Sequence, residues 1–467
     1  MFLSTRNYHY NYKFIVKSSK KNCEDKVNKK FDLLIFRSRK KLSFKFLFFF
    51  LYILLSGKIF KKNRARITYD NIEIGRFVLA ETFRNYECYL NKFKFYKTLI
   101  KNFLKAGALI NSCKLLNDEY KIRGVYVDHC GYLNGIIFSF FAIKKKIVYS
   151  NNYPHGIFCV DYKKSNKKEL LKYENALRIN IKKSINSKQK YNSEIKISKL
   201  VKEATFIPYM IKVNYKKLEK LDYKSFDYVI YCHSFTDGQL WHGYSGFENT
   251  LEWLEFTLKS LIKTNKKVLI KPHPNFYNRS MNEEAIFDKK IYDIVLNRYK
   301  KYKNLFFIKT PIHNYLLLKK LSKDCVLLSG FGTAILESAY MNFKSICTSH
   351  NFFNKKFKIS NMWEDEKSYL ELLNTNPLEL ERPRKSDLLK LAYCMFFYYS
   401  STYHKDFYDN IIRKNLKLTT DEYEKKFYIK GRGSISKSKL RLFENKTKLI
   451  EEKIINEISD TIFDVKE

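Results

Sequence analysis

No Cys-x-x-Cys pair occurs in this chain of 467 residues. Its nine cysteines stand singly, at Cys23, Cys88, Cys113, Cys130, Cys159, Cys232, Cys325, Cys347 and Cys394. An odd, unspaced set excludes a disulfide framework and a structural zinc site. Several lie in apolar runs, as buried free thiols do, so a reducing compartment is expected. No apolar run approaches the ~20 residues that a spanning helix needs. The run Phe46 to Leu55, FLFFFLYILL, is about half that length. A buried helix is expected there, with an interfacial anchor as the alternative because Lys and Arg flank it. Residues 1–45 are basic and mixed, without an apolar core followed by a small-residue cleavage site, so no secretory signal is expected. The chain lacks a Gly-x4-Gly-Lys-Ser/Thr loop, which excludes a P-loop enzyme, and it has no repeat at solenoid spacing. Cys232, His233, His242 and His273 lack ligand spacing, so no metal is expected.

What the chain does have is bulk and charge. Hydrophobic residues make up 45%, with 36 Tyr and 39 Phe, which excludes a wholly disordered protein. The length allows two or three domains with proper cores. Lys and Arg number 89 against 47 Asp and Glu, a net charge of +42. Such a field attracts nucleic acid, anionic lipid or phosphorylated substrates. The dominance of Lys, Asn, Ile, Phe and Tyr also records AT-rich codons, so a solvated Lys-rich surface accounts for part of it. A weak attraction to the inner leaflet of a membrane comes next. Basic residues do not interleave with aromatics in any nucleic-acid module. No specific nucleic-acid partner is therefore expected, although the segment Lys430-Gly431-Arg432-Gly433 keeps a nucleic-acid-binding protein as the alternative from another class.

Little periodicity marks residues 1–40. A helical pattern fills Phe44 to about Asn117. Gly124 to Val127 reads as a strand, Leu133 to Ala142 as a helix and Lys146 to Tyr149 as the next strand, which makes a βαβ unit. Residues 163–222 are rich in Lys, Asn and Ser. Strands are then expected at Tyr228–Tyr231, Val268–Lys271, Leu305–Ile308, Cys325–Leu328 and Ser345–Cys347, alternating with helices at Phe247–Ile262, Tyr315–Leu321 and Ala334–Met341. Alternation of this kind predicts a parallel, doubly wound sheet.

Ligands of such sheets bind outside the carboxyl ends of the strands. There the sequence places His233, Ser234 and Asp237, then Lys271, His273 and Asn275, then Thr310 and His313, then Ser329 to Thr333. Gly330 and Gly332 let backbone approach an anion, and Ser329 and Thr333 add hydroxyls; the alternative is a tight turn with Thr333 as helix cap. Glu337, one turn on, is placed to accept from ribose hydroxyls or to face solvent. In Lys271-Pro272-His273-Pro274 the prolines hold the loop. His273 and Lys271 can then oppose negative charge on a leaving phosphate. In the first βαβ unit, Asp128 or His129 could act as a base toward an acceptor hydroxyl, or serve as a cap and packing. Asn151, His155 and Gly156, with Gly75, Arg76 and Arg84, could shape the acceptor side.

Taken together, Tyr231 to Asp237, Ile270 to Asn275 and Ser329 to Thr333 with Glu337 resemble capsule polysaccharide biosynthesis proteins, within the GT-B glycosyltransferases. The Ser-Gly…Glu part also resembles the nucleotide-binding motif of UDP-sugar 2-epimerases. The resemblance covers roughly residues 70–350. It implies an α/β, GT-B-like fold, two facing Rossmann-like domains with parallel sheets, plus helical N- and C-terminal extensions. The implied division is 1–65 as a basic extension with a short apolar helix, 66–222 as an N-terminal acceptor domain, 223–375 as a C-terminal nucleotide-sugar domain and 376–467 as a helical region with a basic tail. It also implies that His273 contacts donor phosphate, that Ser329, Gly330, Gly332 and Thr333 form the phosphate loop, that Glu337 lies near the ribose, and that no metal or cofactor is needed beyond the nucleotide-sugar itself. The Gln-Pro-x-Glu-Asp motif of the β-Kdo transferases is absent, which argues against a Kdo donor and leaves the base open between Asp128 and His129. The expected activity is an inverting glycosyltransferase acting on a glycan or lipid-linked glycan, cytoplasmic, at the inner face of the plasma membrane. A teichoic-acid-type polyol-phosphate transferase is the alternative within the same scaffold.

Overall fold

The computed structural model describes residues 12–17, 31–36, 42–119, 122–127, 132–145, 148–153, 156–161, 184–203, 215, 218, 220–240, 242–277, 283–351 and 357–395. The chain divides into two units, each discontinuous in sequence. One holds Met1–Phe48, Leu104–Ala176 and Tyr399–Glu467; the other holds Phe49–Phe103 and Leu177–Tyr398. Residues 49–103, which the sequence groups with the extension and the first domain, therefore pack in the second unit.

Four helices come first: α1 (Phe44–Leu55), α2 (Ile74–Phe83), α3 (Glu87–Leu90) and α4 (Lys92–Glu119). Helix α1 meets α4 through Phe46 and Phe50. The Phe46 ring lies where a Cβ on Gly107 would stand, about 2.3 Å away, and Phe50 lies 6.5 Å from Phe103 between ring centroids. Gly107→Ala is therefore expected to destabilise by about 1–3 kcal/mol through overpacking, read as a lower denaturant midpoint.

In the first unit a five-stranded sheet runs β2-β1-β3-β4-β5, with β1 (Tyr12–Lys17), β2 (Phe31–Phe36), β3 (Ile122–Val127), β4 (Val148–Tyr153) and β5 (Gly156–Asp161). The expected βαβ unit is present: β3 and β4 are parallel and α5 (Leu133–Lys145) connects them. The other three pairings are antiparallel, so the sheet is mixed. Short connections, such as the two residues between β4 and β5, suit antiparallel neighbours. Strands β1 and β2 fall where little regular structure was expected.

The second unit has a fully parallel sheet in the order β11-β10-β9-β6-β7-β8. Its strands are β6 (Tyr228–Tyr231), β7 (Val268–Lys271), β8 (Leu305–Phe307), β9 (Val326–Ser329), β10 (Ser345–Thr348) and β11 (Asn361–Trp363). Every residue of β6, β7, β9 and β10 is buried. Helices cover both faces of parallel sheets, so such strands read as unbroken apolar runs. The helices of this unit are α6 (Ser187–Glu203), α7 (Thr250–Leu261), α8 (Glu283–Tyr299), α9 (Asn314–Lys320), α10 (Ala334–Tyr340), α11 (Glu366–Asn374) and α12 (Lys385–Tyr393). Val229, Tyr231, Leu269 and Leu327 form one core with Leu317, Leu318 and Phe343. Asn249 starts α7 by accepting from the Glu252 N–H at 2.8 Å. Helix α8 and strand β11 were not anticipated.

Cys88, Cys113, Cys232, Cys325, Cys347 and Cys394 are buried free thiols, as expected. No helix among those residues is long and apolar enough to cross a membrane.

Candidate functional site

The carboxyl ends of β6, β7 and β9 are neighbours in the sheet, because Tyr231 pairs with both Lys271 and Ser329. The three loops leaving them meet at one rim. The rings of His233 and His273 lie 5.5 Å apart, and the ring of Phe331 lies 3.9 Å from that of His233. Gly332 has a φ of 117°, a conformation that side chains disfavour. A Cβ there would stand 3.4 Å from Cδ2 of His233, so the bare backbone presses against that ring. The imidazole at 273 and the glycine turn thus share one side of the sheet.

Charge at this rim is held out of water. Burial lowers the pKa of His273 well below the usual imidazole value, and His233 and Lys271 lower it further. Burial also lowers that of His233, against the pull of Asp237. Both rings are neutral at pH 7 and still carry one N–H each. Lys271 is 5% exposed, and burial brings its pKa down to about 8, with Glu337 opposing. Its ammonium lies 5.6 Å from the centre of the Tyr231 ring and makes no hydrogen bond to the described residues.

Lys271 links this cluster to a second one. Glu337 on α10 is buried, and its carboxyl accepts from Nδ2 of Asn314 at 2.6 Å. Burial raises its pKa to about 7, against Asn314 and Lys271. Glu337 therefore faces inward rather than toward solvent. His313 caps α9 through Nδ1, which accepts from the Tyr315 N–H at 3.2 Å, and its ring lies 5.0 Å from Tyr215. Burial and the nearby Lys271 lower the His313 pKa. Thr310 is half-buried in the segment between β8 and α9.

In the glycine turn the Ser329 hydroxyl donates to the Phe331 carbonyl at 3.0 Å and braces the turn from within. Thr333 stands at the N-cap position of α10, where the alternative reading puts it, but its side chain makes no cap bond. Asn275 lies in the 3-10 turn Pro274–Tyr277. Asp128, His129, Cys130, Gly131 and His155 lie outside the described residues. Among the described residues no three His, Cys, Asp or Glu side chains are grouped to hold a metal ion.

Sequence reasoning missed the groups that hold the 233–250 loop. Asp288 on α8 is 2% exposed and accepts four hydrogen bonds from that loop. The Ser234 hydroxyl donates at 2.5 Å, the Phe235 and Thr236 N–H groups at 3.0 and 2.9 Å, and the Thr236 hydroxyl at 2.8 Å. Burial pushes the Asp288 pKa up to about 7, against the hydrogen bonds from Ser234 and Thr236. Nε2 of Gln239 donates to the carbonyls of Ser234 and Asp237, and its Oε1 accepts from both donors of Thr250. Residues 49–103 brace the same loop from outside. Arg76, offered above for the acceptor side, is buried and donates to the Leu240 carbonyl at 3.1 Å. Arg64 pairs with Glu248 at 2.9 Å, and the Tyr89 hydroxyl donates to the Phe235 carbonyl. A small cleft of about 50 Å³ opens beside Phe331, lined by Gly238, Leu240, Trp253, His350 and Trp363.

No protein-family model matches the chain, and no curated protein does. Several solved structures are similar. One is KpsC of Thermosulfurimonas dismutans, a beta Kdo 2,4 transferase, at 9% identity and a TM-score of 0.35, covering 56% of this chain and 75% of that one. Another is a UDP-GlcNAc 2-epimerase of Methanocaldococcus jannaschii in complex with UDP-GlcNAc and UDP, at 11% identity and a TM-score of 0.28, covering 63% and 81%. A third is the UDP-GlcNAc 2-epimerase of Neisseria meningitidis bound to UDP-GlcNAc, at 10% identity and a TM-score of 0.25, covering 69% and 96%. Likeness at this level leaves the chemistry of this chain to its own residues.

Proposed function

We propose that this chain is a glycosyltransferase that moves a sugar from a nucleotide-sugar donor to a glycan or lipid-linked glycan, in building a capsule or other surface polysaccharide on the cytoplasmic side. The observation that carries the reading is the meeting of His233, His273, Lys271 and the Gly332 turn at one sheet rim. Neutral imidazoles donate single hydrogen bonds to phosphate oxygens. A buried ammonium without a hydrogen-bonded partner gains one when an anion enters. Together they would stabilise charge as the nucleotide departs, which lowers the barrier to transfer without a metal. Glu337 would accept from the ribose, and Asp128 or His129 would take the proton of the acceptor hydroxyl in a single inverting displacement.

Donor trials test this. UDP-sugars and CMP-sugars are incubated with a glycan acceptor, beside CDP-glycerol, and nucleotide release is measured. Release from a nucleotide-sugar only when acceptor is present is the expected result. Turnover of CDP-glycerol alone would make the chain a polyol-phosphate transferase. Isomerisation of a nucleotide-sugar without release would overturn transfer altogether.

Lys271 makes the binding pH-dependent. Its free pKa of about 8 means that the ammonium is charged below that value and lost above it. A bound phosphate favours the charged form and raises that pKa. Affinity for a nucleoside diphosphate is therefore expected to be flat up to about pH 8 and then to fall by up to about tenfold per unit. Calorimetric titrations from neutral to alkaline pH would show this limb, and Lys271→Met should abolish it.

A further inference from the structure

Helix α1 is apolar apart from Lys45, yet only half of its circumference is covered. Phe46, Phe50 and Ile53 are buried inward. Phe44, Leu47, Phe48, Leu51, Tyr52 and Leu55 face out, with Phe44 82%, Phe48 71% and Leu55 86% exposed. Spacings of three and four residues put these six on one stripe. A helix apolar on every side is ordinarily buried, and an uncovered apolar stripe marks a docking surface. At 12 residues the helix extends about 18 Å, too short to span the ~30 Å of a bilayer.

The surrounding sequence is of one sign. Between Leu33 and Tyr69 there is no Asp or Glu, while ten Lys and Arg residues occur. Lys58 stands at the stripe itself: its ammonium bonds the Tyr52 hydroxyl at 2.8 Å and lies 4.6 Å from the centre of that ring. Lys45 is exposed on the same helix. Lys62 and Arg64 are held by Glu366 and Glu248, so they are not among the charges left for a partner. A second copy of the chain seated on this stripe would bring two basic flanks together. An anionic lipid surface satisfies both the apolar stripe and the flanking charge.

We propose that the outer face of α1 docks on an anionic membrane, with the helix lying in the headgroup plane. This inference is independent of the sugar-transfer reading, and the failure of either leaves the other standing. The test is flotation of the full chain with phosphatidylcholine vesicles containing or lacking phosphatidylglycerol. Wild-type protein is expected to float with the anionic vesicles only. Phe48→Ser with Leu55→Ser should lower the bound fraction by about tenfold or more, with an unchanged melting temperature because both side chains are exposed. Leu51→Trp should show a blue shift of its emission on the same vesicles. Absence of wild-type flotation, equal flotation of the double variant, or an unshifted emission from the Leu51→Trp variant would each overturn the proposal. A wild-type dimer that the double variant dissociates, without lipid binding, would assign the stripe to a second copy and overturn it as well.

Discussion

Alanine at position 273 is expected to lower kcat/KM by about 10²–10³-fold, or about 3–4 kcal/mol of transition-state stabilisation. The prolines on either side of His273 hold its loop, and its ring sits 5.5 Å from His233 at the rim. Under the proposed transfer, its N–H would be preorganised toward charge that grows only as the leaving nucleotide separates. The loss should appear in kcat more than in KM. His273→Gln, which keeps a donor, should recover part of it. Since the ring lies at the rim and is not fully buried, the fold should lose little. Nucleotide-release kinetics beside a thermal melt separate the two effects. A His273→Ala variant with wild-type turnover would remove the group from the chemistry.

Asp288→Ala should have the largest effect on stability, about 3–5 kcal/mol. Four buried donors from the 234–236 segment lose their common acceptor at once. Asp288→Asn should cost much less. Three of those donors converge on Oδ1, which Asn retains, and the new amide can donate to the Ser234 hydroxyl oxygen at the other position. Chemical denaturation of the two variants measures the difference. Equal losses for Ala and Asn would mean that negative charge, rather than the hydrogen-bond geometry, holds the loop.

The six-stranded sheet was largely legible because of how parallel strands are covered. Runs such as YVIY at 228 and CVLL at 325 carry no charged residue, as burial on two faces requires. Polar, proline and glycine residues follow each run directly, so the rim residues could be read as well. Asp288 could not be. In sequence it is one acidic residue among several on its helix, and its partners lie more than fifty residues away. Asn314 was hidden for the same reason, since its partner Glu337 is on another helix. The outer face of α1 misled in a different way, because an all-apolar helix looks buried on both sides when only its pattern is read. The strands β1 and β2 carry charged residues, Lys13 and Lys17 in one and Asp32 in the other, which masked them.

Strand order has a consequence for how the chain reaches this state. The central strand β6 joins β7 on one side and β9 on the other, so Tyr228 pairs with Val326 across the whole α7–β7–α8–β8–α9 stretch. Loop closure of that size precedes any reward from contact, which slows acquisition of the native topology. A circular permutant with new termini in the turn between α8 and β8 would leave β9 and β6 joined only through the old ends. Its refolding rate would report whether the β6–β9 pairing is the late event.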